Sequence, residues 1–148
     1  MNDSRVTDVP ISQADGYASF IFESNLGFSF EHPFDWQGRE NNLTAVLKSL
    51  DGVNTIEIAL ESRQGGVSID DYLQEQTQKY SYGKLIKNGF IDIASFDKSF
   101  ARRWNDGGVV KSDFFLFRGG KVVRILIYPS SSETEKVFDQ ITTTLKIE

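Results

Sequence analysis

His32 is the chain's one histidine and there is no cysteine, so a nitrogen or sulfur metal centre lacks its second ligand, and thiol nucleophiles and disulfides are excluded. A lone His that closes a strand just before Pro33 is expected to be structural. Glu57 and Glu61, four apart on a strand, share a face about 13 Å apart, too far for a retaining carboxylate pair and long for an inverting one. They read as a solvated face. Asp70 and Asp71 are explained by a helix start, and Asp51-Gly52-Val53-Asn54 has oxygen ligands but not the longer spacing of a calcium loop. The glycine pairs starting at Gly65, Gly107 and Gly119 lack any phosphate-loop context and read as turns. Asn42-Leu43-Thr44 is a glycosylation sequon by letter only. The remaining cluster is Arg102-Arg103-Trp104: on a strand, Arg102 and Trp104 share one face, an Arg beside a Trp is the composition of an interface anchor, and Arg124 and Lys111 could enlarge the patch. The competing reading is an Arg stem packed over an aromatic on a solvated face. Trp36 has the same two readings, a core plug or a binding platform.

These residues must be positioned by a body that the composition describes well. The chain has 148 residues, 39% hydrophobic and 13% aromatic, enough for one domain with its own core. Residues 1–15 read as a flexible polar leader and 16–148 as a single domain. The net charge of −5 argues against a nucleic-acid partner. Residues 1–78 hold 4 Lys/Arg against 13 Asp/Glu, whereas residues 79–126 hold 10 against 4. Either the two segments interleave and the asymmetry vanishes in space, or a basic patch meets an acidic partner. No run is long or apolar enough to span a membrane, and no signal-peptide h-region is present. The polar leader, Asn2 to Gln13, is of the kind that follows a removed signal, so export and a cytoplasmic location both stay open.

The strongest structural signal is Val109 to Tyr128, two β-rich runs joined at Gly119-Gly120. A two-residue primed turn there, with positive φ at both glycines, fixes the register. Leu116 then faces Val123 and Phe114 faces Ile125 on one side, with Phe117 facing Val122 and Phe115 facing Arg124 on the other. Large apolar groups on both faces put this hairpin in the middle of a sheet. Upstream, a strand starts from Tyr17, and Gly27 to His32 alternates with Phe28 and Phe30 on one face until Pro33 ends it. Trp36 is expected in the loop that follows. Leu43 to Leu50 and Thr55 to Ser62 read as a hairpin across the Asp51–Asn54 turn, with Ile56, Ile58 and Leu60 inward. Ser68 caps a helix whose apolar stripe is Ile69, Tyr72, Leu73 and Tyr80. Leu85-Ile86 and Phe90 to Phe96 are short apolar runs separated by Lys87-Asn88-Gly89, and Phe100 to Asn105 is a strand. Ser132 and Glu135 have capping-box spacing ahead of a helix carrying Val137, Phe138, Ile141 and Leu145, and the last residues could return as an edge strand. Hairpin-linked strands and two one-faced helices give an α+β fold: an antiparallel β-sheet with helices on one or both faces.

Gly27-Phe28-Ser29-Phe30-Glu31-His32-Pro33 followed by Trp36 resembles the opening signature of PsbP-like proteins. So does the later order of a helix near Ser68, a strand near Ala101 to Trp104, a Gly-containing hairpin and a closing helix with a short strand. The resemblance covers Tyr17 to Glu148. It implies an α/β/α sandwich on an antiparallel sheet, shared by PsbP of photosystem II and a Ran-binding nuclear-transport factor, both non-catalytic proteins that act by binding partners. Many prokaryotic relatives are exported or lipid-anchored; this chain has no lipobox Cys, and its lack of a long basic leader argues against carrying over a role in photosynthesis.

The expectation is therefore a non-catalytic binding or accessory module without cofactor, engaging a protein with an acidic surface through Arg102, Trp104 and Trp36. The alternative is a small-ligand or metal-binding protein, or an enzyme, with a pocket between sheet and helix that uses His32, Asp35 and an unidentified Arg.

Overall fold

The computed structural model describes residues 7–12, 18–79 and 83–148. The strands before the first helix are β1 (Thr7–Ser12), β2 (Ala18–Glu23), β3 (Phe28–Pro33), β4 (Trp36–Glu40), β5 (Ala45–Ser49) and β6 (Thr55–Ser62). Helix α1 (Ile69–Lys79) leads to β7 (Lys84–Ile91), β8 (Lys98–Asp106), β9 (Val109–Arg118) and β10 (Lys121–Tyr128). Helix α2 (Ser132–Thr144) and the short β11 (Lys146–Ile147) close the chain. The strands form a seven-stranded sheet, β4-β5-β6-β10-β9-β8-β7, and a four-stranded sheet, β1-β2-β3-β11, and the paired strands are antiparallel. This is the expected α+β class.

The β9–β10 hairpin holds the centre. Its register pairs Leu116 with Val123, Phe114 with Ile125, Phe117 with Val122 and Phe115 with Arg124, as the loop position dictates. The turn differs in one detail: Gly119 has φ +57 but Gly120 lies outside the left-handed region, so only the first central residue needs glycine's freedom, the pattern of a II′ turn.

Period-2 alternation then makes two cores. Ile56, Ile58, Val123, Ile125, Ile127 and Leu116 face Phe22, Phe28 and Phe30 of the small sheet and Val137, Phe138 and Ile141 of α2. On the opposite face Phe115, Phe117 and Val122 pack against Tyr72 and Leu73 of α1. One helix therefore covers each face of the large sheet, and the small sheet shares a face with α2.

Capping sets both helix starts. Asp71 donates its amide to Ser68 Oγ at 3.0 Å, so Ser68 is the cap of α1; Tyr80 of the expected stripe lies outside the described residues. For α2 the box sits one residue earlier than expected. Ser131 is the N-cap, and its amide donates to Thr134 Oγ1 at 2.9 Å while the Thr134 amide donates to Ser131 Oγ at 3.3 Å. A Thr at the third helical position satisfies the cap as the expected Glu would, which leaves Glu135 for another partner.

Three sequence expectations change. Trp36 is not in a loop but opens β4, whose polar Arg39 and Glu40 hide it from a pattern search. The runs flanking Lys87-Asn88-Gly89 are not separate: Leu85 to Ile91 is one strand, with a bulge between Leu85 and Lys87 that accommodates the extra Ile86. Thr7–Ser12, inside the stretch read as a leader, pairs with β2.

Candidate functional site

The residues singled out by type fall in three places. His32 is fully buried in β3, stacked on Phe20 at 5.7 Å, with Nδ1 2.9 Å from the Pro33 carbonyl. That is a core histidine's environment. Asp35 lies in the turn before β4 and accepts the Leu50 amide through its main-chain carbonyl at 3.1 Å. Trp36 is 3% exposed in the main core, and β4 is the far edge of the sheet from β8, so the fold separates Trp36 from Arg102 and Trp104. Trp104 is itself 5% exposed. Arg102 and Trp104 do share a face of β8, as their spacing requires, while Arg103 faces α2, where it pairs with Glu135 at 2.9 Å.

The face of the large sheet that carries Arg102 holds a row of paired polar groups. Asp113, with no exposed surface, receives Arg124 in a two-point bond, Nε to Oδ1 at 3.0 Å and Nη2 to Oδ2 at 2.7 Å. Lys111 pairs with Asp106 at 3.0 Å. Glu57 and Glu61 each accept a phenol, from Tyr128 and Tyr72 respectively. Burial, followed by the bond to the Glu57 carboxylate and its charge, pushes the Tyr128 phenol up to about 12. Every carboxylate in this row thus has a donor, a structural arrangement rather than an open acid–base pair. Among the described residues no group of three or more His, Asp or Glu side chains could hold a metal.

What the structure assembles instead is an uncovered wing. Strand β7 is the last strand of the large sheet, and it leaves Leu85, Ile86, Phe90 and Ile91 exposed by 50%, 53%, 47% and 38%. Both helices stop short of it. On one face a cleft of about 490 Å³ separates α1 from the wing, bounded by Asp70, Leu73, Phe90, Phe100 and Arg102. On the other, a groove of about 400 Å³ lies between α2 and β7–β9, bounded by Lys87, Gly89, Ala101, Arg103, Phe114 and Phe138. Neither cleft includes His32, Asp35, Trp36 or Trp104. Strands β7 and β8 carry Lys84, Lys87, Lys98, Arg102 and Arg103 against Asp106 alone. Lys98 sits over the Phe90 ring at 4.5 Å and Arg102 over the Phe100 ring at 5.5 Å, so cations and apolar surface are interleaved. Sequence reading missed β7 because its signal is a broken apolar run with basic punctuation. The available clue was apolar residues on both strand faces with no third helix in the sequence to cover them.

No protein-family model and no curated protein sequence matches the chain. Among solved structures, the fold is similar to that of cyanobacterial PsbP from Synechocystis sp. PCC 6803, with TM-score 0.59 and 10% identity over 100% of this chain and 95% of that one. It is also similar to a protein from Bacteroides thetaiotaomicron, with TM-score 0.56 and 14% identity, covering 82% of this chain and 45% of that one. The chain has a PsbP-like fold.

Proposed function

We propose that this PsbP-like domain is a non-catalytic accessory module that binds a protein partner through the β7–β8 wing. The observation that carries the reading is the exposed edge strand with four large apolar side chains, on both of its faces, among basic ones, since an unpaired sheet edge that exposes apolar side chains beside charge has the chemistry of an interaction surface. Of the residues singled out by type, Arg102 is the one included in this proposed surface, beside the Phe100 ring. Trp104 and Trp36, being buried, support the sheet from within. Nucleic acid is disfavoured as partner by the net charge of −5. No described helix is long and apolar enough to cross a membrane.

A small-ligand site is the second reading, favoured by the groove beside α2, whose volume of about 400 Å³ suits a small molecule. The two readings separate in a pair of measurements on the full chain. Thermal unfolding is followed with divalent metals, nucleotides, sugars and small acids, where saturation at a hundred times the dissociation constant adds about 2.7 kcal/mol and raises the midpoint by roughly 5–10 °C. Capture of proteins from native extract is compared between the wild type and Lys84→Glu/Lys87→Glu. The protein-binding reading expects a flat panel and a captured partner lost from the variant. A ligand that shifts the midpoint, or capture indifferent to the charge reversal, would overturn it.

A further inference from the structure

Across β7, β8 and β9, Gly89 stands beside Ala101 and Ala101 beside Phe114, and Phe114 stacks on Phe138 of α2 at 4.1 Å. Two neighbouring strands thus present the smallest side chains at one level, and an aromatic wall rises behind them. The result is a notch that opens onto the free edge of β7. The row on one side is Lys87, Arg103 and Ser112; the row on the other is Ile91, Ser99 and Leu116. On one flank Lys87 stands at the edge and Arg103 is paired with Glu135, which lines the same groove together with Asp139; on the other, Ile91 and Leu116 stand either side of Ser99. A Cβ built on Gly89 meets nothing within 4 Å and its φ is not in the left-handed region, so neither turn geometry nor a close neighbour demands glycine here. An exposed strand edge offers alternate main-chain amides and carbonyls to any extended chain.

We propose that β7 accepts an extended acidic segment of a protein partner as an additional strand, with one large apolar side chain of that segment lodged in the notch over Gly89. The proposal rests on the protein-binding reading above and specifies the partner's chemistry. Charge selects the occupant. Lys84 and Lys87 on the edge strand, with Lys98 on the strand beside it, favour carboxylates, and they oppose a second copy of this chain, whose own edge carries the same lysines.

The test uses the full chain and a synthetic peptide of eight residues, the length of β7, alternating Glu with Val and carrying one central Phe. The controls replace each Glu by Lys, or the Phe by Ala. Binding is titrated, and the exchange of β7 amide hydrogens is followed with and without peptide. The acidic peptide is expected to slow exchange along Lys84 to Ile91, and to bind about tenfold less tightly when its Phe is lost or when Gly89→Phe fills the notch. Lys87→Glu, an exposed change, gives the same loss by charge should Gly89→Phe disturb folding. Equal binding of the Lys-containing peptide, unchanged exchange in β7, or a dimer paired through β7 in sedimentation would each overturn the proposal. If the peptide fails while capture of a partner still depends on Lys84 and Lys87, strand addition falls and the protein-binding reading stands; if capture is also indifferent to these lysines, both fall.

Discussion

At the scale of single residues, the Asp113–Arg124 pair is the largest electrostatic commitment in the large sheet. Asp113 has no exposed surface and the Arg124 side chain is 15% exposed, so the two charges meet largely out of water. Removing one partner of such a pair costs about 3–5 kcal/mol, whereas replacing both by apolar groups of similar volume is often neutral. Arg124→Met is accordingly expected to lower the unfolding free energy by about 3 kcal/mol, read by denaturant titration, and Asp113→Leu/Arg124→Met to recover most of that loss. A single variant as stable as wild type would show that the carboxylate is satisfied without the guanidinium. Tyr128 gives a pH signature. Its phenol is raised from 10.0 to about 12, so the folded state favours the neutral form. The associated stability is fully present below about 10 and is lost as pH rises towards about 12. Tyrosinate absorbance should include a late-titrating phenol that disappears in Tyr128→Phe; an unchanged titration would show that burial and the Glu57 contact do not hold the Tyr128 phenol neutral.

At the scale of elements, the two outer strands of the large sheet have opposite fates. Strand β4 is sealed by the small sheet: a Cβ on Gly38 would come within 2.4 Å of the Phe22 ring, and Phe22 is itself fully buried. Gly38→Ala is expected to cost about 1–3 kcal/mol, because an overpacked core must shift its neighbours; an unchanged melting midpoint would mean that the Phe22 ring yields freely. Strand β7 has no such cover among the described elements. Its bulge and lysines are devices that suppress indiscriminate edge pairing, and they leave Asn88 to Ile91 regular and available. Strand patterns with clear alternation, such as Thr55–Ser62, were legible from sequence; β4 was not, because Gly38, Arg39 and Glu40 are poor strand formers held in place by Phe22 and by pairing with β5.

At the scale of the whole molecule, the uneven charge of the sequence survives folding. Strands β7, β8, β9 and β10 are consecutive neighbours, so the basic segment stays together instead of interleaving with the acidic one. Part of it is spent internally, on Asp113, Asp106 and Glu135, Arg118 and Lys121 flank the β9–β10 turn, and Lys84, Lys87 and Lys98 lie on the wing. Like charge on that edge is expected to keep the protein monomeric in sedimentation, the condition under which its edge stays open to another chain.

The sequence by itself determined what depends on near neighbours. Gly119-Gly120 set the hairpin and therefore its register, Ser68 set the start of α1, and the alternation of Phe28 and Phe30 set their inward face, because turn geometry, capping and pleat each act over a few residues. The position of Trp36 in the core, the pairing of Asp113 with Arg124, and the exposure of β7 were decided by the tertiary structure alone. Whether a strand lies at the middle or the edge of a sheet depends on which distant segments pair with it: β10 is central because β6, far upstream, closes on its other side, and β7 is bare because no described strand does the same for it. Local chemistry carries no record of such a missing neighbour, and the candidate binding surface lies at that bare edge.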